Sequence, residues 1–189
     1  MKENPGILLK KYHVLREGHF LLTSGLHSDR YFEKFRILEQ PELCEQFARV
    51  IAEHYRSIPI THVCGPTTGG IIVAYEVARQ LKCRCIIAEQ TESGRKIGRG
   101  FIVGQNDLVL IVDDVLTTGS SIKQTIEAVA ATGARIVGIG VFIDRSAGIQ
   151  LSFPFFSAYR EPIRNYQPAD CPLCKAGIPL EAPGRSGKK

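Results

Sequence analysis

The fold of this chain is decided by residues 109–121, which read VLIVDDVLTTGSS. A run of aliphatic residues leads into two adjacent acids, Asp113 and Asp114, and then into small hydroxylated residues and a glycine. Continuous aliphatic runs are typical of strands that are buried on both faces of a parallel sheet. We therefore interpret the stretch as a strand, a turn that can surround a ligand, and the start of a helix.

The same alternation of strand and helix patterns continues on both sides of this stretch. Helices are predicted over residues 42–55, 69–81 and 120–132, and strands over residues 61–64, 83–89, 107–114 and 134–144. Aliphatic strands separated by helices predict an α/β fold with a central parallel sheet, covered by helices on both faces and joined by right-handed crossovers.

The size and composition are ordinary for one compact domain. The chain has 189 residues, of which 44% are hydrophobic and 23% are charged, so we expect a single domain over residues 1–189. No apolar run approaches the roughly 20 residues that span a membrane. The first residues also lack the pattern of a signal peptide. These features predict a cytoplasmic protein with no membrane partner.

The net charge and the cysteines indicate which classes of ligand the protein can bind. A formal net charge of +5 suits anionic ligands, but GRSGKK at the end of the chain is the one basic block, so we expect no nucleic-acid partner. Without a secretory signal, free thiols or a metal are favoured over disulfides. The six cysteines are Cys44, Cys64, Cys83, Cys85, Cys171 and Cys174.

Three loops follow predicted parallel strands and should meet at the carboxyl edge of the sheet, where such folds bind ligands. They are residues 65–70 (GPTTGG), 91–100 (TESGRKIGRG) and 113–121. Backbone N–H groups and hydroxyls at the start of a helix favour a phosphate dianion. We therefore predict that a phosphate is bound by Thr117, Thr118, Gly119, Ser120 and Ser121.

The acid pair indicates a sugar beside that phosphate. Asp113 and Asp114 can bind neighbouring hydroxyls directly, or through a Mg²⁺ ion that prefers oxygen ligands and keeps part of its water. A helix cap with a solvated turn is the alternative interpretation. The stretch has neither the glycines and lysine of a Walker P-loop nor a dinucleotide fingerprint, so a phosphorylated ribose is the favoured ligand.

VLIVDDVLTTGSS resembles the phosphoribosyl-pyrophosphate (PRPP) motif of the type I phosphoribosyltransferases. Further segments resemble a bacterial and archaeal branch of the orotate phosphoribosyltransferase family: GHFLLTSGLHSDRYF, GPTTGGIIVAYEVARQL, RGF at 99–101, Asp144 with Arg145, and CPLCKAGIPL. The resemblance implies a parallel sheet flanked by helices, with a small hood from about residues 1–40 and 145–180. It also implies a mobile basic tail at about 182–189.

The resemblance further implies an activity and the roles of residues. The activity is transfer of ribose 5-phosphate from PRPP to orotate, with Mg²⁺ as cofactor and a homodimer as the assembly. Pyrophosphate would lie on Gly65, Pro66, Thr67, Thr68 and Gly69. Arg145 would pair with the orotate carboxylate, Tyr31 and Phe32 would frame the base, and Thr117 would also contact substrate. Asp113 and Asp114 would be catalytic and would hold the metal mostly through water.

Residues 91–100 have the pattern of a flexible lid, which by the resemblance carries the catalytic cations Lys96 and Arg99 and often reaches into the neighbouring subunit. Three positive charges of better-known members are absent, at Thr23, Gly69 and Gln90. Stabilisation of pyrophosphate would then depend on Arg95, Lys96 and Arg99. Because of these departures, a different base or a PRPP-binding regulator without turnover stays an alternative function.

Plainer interpretations stay open at several positions. Arg145 can instead form a surface ion pair, and the charged residues at 95–99 can form a solvated face. His27 can be an ordinary loop histidine. The glycines of residues 65–70 are open to a role in easing a tight turn. The Cys171-x-x-Cys174 pair has the spacing of half a zinc site, but a structural zinc needs four ligands and the sequence does not indicate the other two.

Overall fold

The protein is described here by a computed structural model over residues 4–22, 24–146, 148–161 and 164–183. The α-helices are α1 (Pro5–Lys11), α2 (Phe35–Leu38), α3 (Pro41–His54), α4 (Gly69–Leu81), α5 (Ser120–Ala130) and α6 (Pro172–Lys175). The strands are β1 (Leu15–Leu21), β2 (His27–Phe32), β3 (His62–Pro66), β4 (Arg84–Thr91), β5 (Gly94–Ile97), β6 (Leu108–Leu116), β7 (Arg135–Asp144), β8 (Phe155–Arg160) and β9 (Asn165–Tyr166). Thr23 and most of the predicted basic tail lie outside the described residues.

The main sheet has six strands in the order β5-β4-β3-β6-β7-β8. Five strands are parallel: the four predicted from the sequence, β3, β4, β6 and β7, and β8, which was not predicted. Strand β5 runs antiparallel to β4, so the complete sheet is mixed. The predicted central parallel sheet is confirmed, and at its edge a tight turn at Glu92 and Ser93 reverses the chain before Gly94, which adds the antiparallel strand β5. Part of the expected lid is therefore an edge strand.

Helices pack on both faces of this sheet. The apolar side chains of α3, including Phe47 and Ile51, share one buried cluster with those of α4, and α5 packs on the other face through Ile122 and Val129. Helix α4 approaches β3 very closely, since a Cβ atom on Gly65 would lie 2.0 Å from the carbonyl oxygen of Gly70. Within the described residues, no helix is long and apolar enough to cross a bilayer.

A second, three-stranded antiparallel sheet has the order β1-β2-β9, and we call it the hood sheet. It joins the two ends of the chain, since β9 pairs with β2 and Glu181 forms a bridge with Phe20 of β1. Strand β8 falls inside the range 145–180 expected for the hood, yet it belongs to the main sheet. The hood sheet brings the aromatic residues of β2 to the edge of the main sheet.

Candidate active site

The turns after β3 and β6 lie side by side because these strands are neighbours in the sheet. Their contact is close enough that a Cβ atom on Gly69 would lie 1.8 Å from Oδ2 of Asp114. A Cβ atom on Gly70 would lie 3.0 Å from Oδ1 of Asp113. The glycines expected to hold pyrophosphate and the acid pair expected to hold ribose therefore form one site.

The turn at residues 117–119 connects β6 to α5 and leaves its amides available. Gly119 has a φ of 76°, a conformation that glycine adopts without steric cost, and it is the N-cap residue of α5. Within the described residues, the amides of Thr118, Gly119 and Ser120 donate no hydrogen bond to a backbone or side-chain acceptor. Exposed donors at a helix start are the arrangement that binds phosphate.

The acid pair is buried at the end of β6. Only 6% of Asp113 and 4% of Asp114 is exposed. Oδ1 of Asp113 accepts from the amide of Asp114 at 2.8 Å, and Oδ1 of Asp114 accepts from the amide of Val115 at 2.7 Å. Burial, and then the charge of Asp114, raise the pKa of Asp113 to about 7. Two carboxylates held this way favour a bound cation or hydroxyl donors.

Lys34 is a site residue that sequence reasoning missed. Its Nζ atom lies 3.0 Å from Oδ2 and 3.2 Å from Oδ1 of Asp114. It stands just before α2, two residues after Phe32, so its only signal in the sequence is its closeness to the aromatic pair. This ammonium group supplies a positive charge beside Gly69, where better-known members of the resembled family carry a lysine.

We predict that Gly69→Ala lowers kcat/KM for PRPP by about 100-fold, because the added methyl group must displace the Asp114 carboxylate. Gly104→Ala is the matched control, since a Cβ atom there meets nothing within 4 Å. Steady-state kinetics of both variants tests this, and equal kinetics for the two would show that the contact at Gly69 has no catalytic importance.

A cavity of about 560 Å³ opens beside the acid pair and the phosphate turn. It brings together four of the residues predicted to bind substrate, Tyr31, Phe32, Thr117 and Arg145. The guanidinium carbon of Arg145 lies 5.2 Å from the centre of the Phe32 ring. An aromatic wall and a cation are thus placed at one pocket, as recognition of a planar anionic ring requires.

Arg145 is held by its backbone and leaves its side chain available. Its amide donates to the carbonyl oxygen of Leu116 at 2.9 Å, next to the phosphate turn. Burial lowers the pKa of Arg145, and its buried Nε has no hydrogen-bond partner in the described part of the chain. No ion pair to Arg145 is found there either, so the alternative of a surface ion pair is not supported.

Asp144 fixes the turn that presents Arg145. Oδ1 of this buried carboxylate accepts from the amide of Ser146 at 2.8 Å and from its hydroxyl at 2.6 Å, while Oδ2 lies 3.3 Å from Nε of Arg160. The two residues of the Asp-Arg pair therefore have different roles. Asp144 shapes the turn, and Arg145 faces the pocket.

Of the cations in residues 91–100, the structure brings Arg95 to the site. Its guanidinium donates to Oγ1 of Thr67 at 3.0 Å, to the carbonyl oxygen of Thr67 at 3.2 Å and to that of Ala88 at 3.0 Å. Lys96 is exposed and, by the alternation of β5, lies on the opposite face. Nε of Arg99 pairs with Oε1 of Glu89 at 2.5 Å in an exposed position. Lys96 and Arg99, the two expected catalytic cations, thus lie outside this cluster.

Gln90, the third departure from the family pattern, helps to shape the hairpin. Its side-chain amide donates to the carbonyl oxygens of Thr91 at 3.2 Å and Gly94 at 3.0 Å. Its backbone amide donates to Oγ1 of Thr67 at 3.3 Å. This position therefore serves the turn between β4 and β5, and Arg95 carries the charge toward the β3–α4 turn.

The raised pKa of Asp113 predicts that the ligand-free, metal-free protein loses stability as the pH rises. Between the ordinary value of 3.8 and about 7, the folded chain holds a proton that the unfolded chain has released. The free energy of unfolding therefore falls across that interval. Asp113→Asn should remove this contribution to the slope and make the ligand-free protein more stable at neutral pH. Urea unfolding over a pH series measures both quantities, and an unchanged slope in the variant would count against the assignment.

Comparison with known proteins agrees with this geometry. The model of the phosphoribosyl transferase domain family matches residues 35–156, which run from α2 to β8 and include the acid pair and the phosphate turn. The chain therefore belongs to the phosphoribosyltransferase family.

Individual relatives show to which group within the family the chain is most similar. An orotate phosphoribosyltransferase of Caldanaerobacter subterraneus is 44% identical over 97% of each chain, and that of Thermotoga maritima is 43% identical over 96% of this chain and 98% of its own. A solved structure, the orotate phosphoribosyltransferase of Aeropyrum pernix, superposes with a TM-score of 0.71 at 25% identity, covering 83% of this chain and 93% of its own. Within the family, this chain groups with the orotate phosphoribosyltransferases.

Proposed function

We propose that the protein transfers the ribose 5-phosphate of PRPP to a ring nitrogen of orotate, giving orotidine 5′-monophosphate and pyrophosphate in the synthesis of UMP. Relatives about 43% identical over nearly the whole chain carry this activity in their names. The single observation that carries the proposal is the position of the acid pair and the phosphate turn beside a pocket with an aromatic wall and an arginine. Within the described part of the chain, this arginine forms no ion pair.

The mechanism follows from where charge develops. As the bond from the sugar carbon C1 to pyrophosphate breaks, positive charge grows on the ribose and the bonding electrons leave with pyrophosphate. The orotate nitrogen releases its N–H proton to the leaving group or to solvent and forms the new bond to C1. Residues 117–121 hold the 5-phosphate, and Asp113 with Asp114 grips the ribose hydroxyls. Catalysis by this chain is therefore mainly positional and electrostatic.

The leaving group and the base each meet a complementary surface. The turn after β3 presents the backbone amides of Thr68 and Gly69 to pyrophosphate, while the amide of Thr67 donates to the carbonyl oxygen of Ala88. Arg95, bonded to that turn, adds positive charge. On the other side, the guanidinium of Arg145 makes a bidentate contact with the orotate carboxylate. The aromatic ring of Phe32 packs against the face of this guanidinium. Orotate is preferred over uracil because only orotate carries that carboxylate.

The residues present fit Mg²⁺. Asp113 and Asp114 are adjacent carboxylates of the oxygen type that Mg²⁺ prefers, and Oδ2 of Asp114 is buried with no hydrogen-bond partner apart from its ion pair with Lys34. Burial and the charge of Asp114 raise the pKa of Asp113 although Lys34 lies beside the pair, so a bound cation would stabilise the ionised pair further. We propose that this pair holds the ion, mostly through water, and that bound Mg²⁺ neutralises phosphate charge.

The assembly proposed is a cytoplasmic homodimer, in which residues 1–189 act as one domain without nucleic acid or membrane partners. The exposed positions of Lys96 and Arg99, away from their own subunit's cluster, support a role in the partner's site. Symmetry then gives each dimer two composite sites.

A mixture of two inactive variants tests that arrangement. We predict that Arg99→Gln and Asp113→Asn are each nearly inactive, and that mixing them with exchange of subunits restores roughly a quarter of the activity, because hybrid dimers contain one intact site. Lys123→Gln, which changes an exposed cation on α5, is the control and should stay active alone. Failure of the mixture to regain activity would place Arg99 in its own subunit or outside catalysis.

Turnover tests the function itself. The protein is incubated with PRPP, Mg²⁺ and orotate, and loss of orotate absorbance is followed, with parallel reactions containing uracil or purines. Turnover with orotate alone is the expected result. Turnover with another base would make that base the substrate, and PRPP binding without turnover on any base would make the protein a regulator.

A further inference from the structure

A second cluster of chemically active side chains lies in the hood, outside the site described above. His19 of β1, His27 of β2, Cys171 and Cys174 direct one ligand atom each to a common point, and these four atoms all lie within 4.8 Å of one another. All four residues fall outside residues 35–156, the part matched by the family model. None of the four is among the residues that line the substrate pocket, so the cluster is separate from the site described above.

Three nitrogen-to-sulfur distances match those of a tetrahedral metal centre, while the two imidazole nitrogens lie at hydrogen-bond distance. Cys171 Sγ lies 3.5 Å and Cys174 Sγ 3.7 Å from Nε2 of His19, and Cys174 Sγ lies 3.3 Å from Nδ1 of His27. With zinc bonds of about 2.05 Å to nitrogen and about 2.3 Å to sulfur, a tetrahedron has nitrogen-to-sulfur edges of about 3.6 Å. The two ring nitrogens are 2.9 Å apart, and a bound ion would separate them by a few tenths of an ångström.

A carbonyl group fixes the protonation of one imidazole ring. Nδ1 of His19 lies 2.8 Å from the carbonyl oxygen of Ile178, which can only accept, so this nitrogen carries the proton. In the neutral ring, Nε2 then presents its lone pair to the cluster centre. Orientation of a ligating histidine by a carbonyl group behind it is the usual outer arrangement of zinc sites.

Burial argues that three of the four groups have a common partner, and Cys174 completes the cluster from an exposed position. His19 is 2% exposed, His27 is 5% exposed and Cys171 is fully buried. Buried polar side chains are costly unless their hydrogen-bonding or ligating capacity is used. No acid among the described residues belongs to the cluster, and two thiolates with two neutral imidazoles would neutralise the charge of a divalent ion.

We propose that His19, His27, Cys171 and Cys174 form a structural zinc site that fastens the C-terminal segment to the hood sheet. Two thiolates and two imidazoles in a closed tetrahedron select zinc among the common divalent ions. The sequence shows only the Cys-x-x-Cys half, because the two histidines lie eight positions apart on adjacent strands and meet only after β1 and β2 pair.

The position of the site gives it a structural role. Beyond α6 the chain returns along β1. The amide of Glu181 donates to the carbonyl oxygen of His19 at 2.8 Å, and the amide of Leu21 donates to the carbonyl oxygen of Glu181 at 2.7 Å. Pro183 then lines the cavity that contains Tyr31, Phe32 and Arg145. Zinc would hold this short segment, which has little apolar burial of its own, against the strands that carry Tyr31 and Phe32.

Metal analysis of the purified full-length protein, expressed without an affinity tag that binds metal, is the first test. Inductively coupled plasma mass spectrometry should find one zinc per chain. Cobalt substituted for zinc should give the visible absorption of a tetrahedral centre and a thiolate-to-cobalt charge-transfer band. Protein that folds and refolds with far less than one zinc per chain, or with a Cys171–Cys174 disulfide in its peptide map, would overturn the proposal.

Variants locate the ion. Cys174→Ser, at the exposed ligand, should weaken zinc binding by at least about 10- to 100-fold and lower the melting temperature by about 10 °C. Cys83→Ser changes a thiol outside the cluster and should retain full zinc. If Cys174→Ser does not fold, His27→Asn is measured in its place together with the cobalt spectrum of the unaltered protein. Full zinc in either folded ligand variant would contradict the assignment.

Discussion

Replacing Asp113 and Asp114 together by asparagine is expected to lower kcat/KM for PRPP by about 10³-fold or more, without loss of the fold. The variant removes both charges that hold the ribose hydroxyls and the proposed Mg²⁺ ion, at the point where positive charge develops on the sugar. The fold should persist, because removing a buried charge pair relieves repulsion and desolvation rather than breaking the core. Initial rates over a range of PRPP concentrations measure the effect.

A charge-matched control separates this effect from a general change in charge. Glu53→Gln with Glu127→Gln removes two exposed carboxylates from α3 and α5 and should leave kinetics within about twofold. Circular dichroism and thermal unfolding of both double variants confirm folding. Near-normal kinetics for the Asp113 and Asp114 variant would remove the acid pair from the mechanism.

Arg145→Gln is expected to raise KM for orotate by about 100-fold or more while leaving KM for PRPP within about twofold. The variant leaves the orotate carboxylate in a partly buried pocket without its cation, and losing one partner of such a pair costs about 2–5 kcal/mol. The PRPP surface is built from the turns after β3 and β6, so its affinity does not depend on this guanidinium. Steady-state kinetics with each substrate varied in turn distinguishes the two constants.

Specificity gives a second readout for Arg145. Discrimination between orotate and uracil should shrink in the variant, since the group that recognises the carboxylate is gone. Arg135→Gln, at an exposed position at the start of β7, is the control and should keep wild-type values. An unchanged preference for orotate in Arg145→Gln would assign the carboxylate contact to another residue.

The central part of the fold could be predicted from the sequence because its signals are local. The aliphatic run of β6, the acids at its end and the hydroxylated turn lie within residues 109–121, and each determines its own strand, edge or helix start. Strand β8 was missed because Phe155–Arg160 carries no comparable aliphatic run and takes its place only by pairing with β7. Non-local pairing of this kind leaves little trace in a short window of sequence.

The parts of the site that sequence reasoning missed depend on side-chain direction. Lys34 contacts Asp114 across 80 positions of sequence. Arg95, Lys96 and Arg99 were all candidates in the sequence, and only the alternation of side chains along the edge strand β5 shows that Arg95 is the one at the site. Charged residues in a loop are indistinguishable in the sequence until the backbone assigns each to a face. The same limit hid the histidines that complete the cysteine pair of the hood.

A crystal structure of the protein with PRPP and Mg²⁺ tests the central claim most directly. The account predicts the 5-phosphate on the amides and hydroxyls of residues 117–121, with the ribose hydroxyls facing Asp113 and Asp114 directly or through the ion and its water. Density for the 5-phosphate anywhere else, or a ribose ring facing away from these two carboxylates, would contradict it.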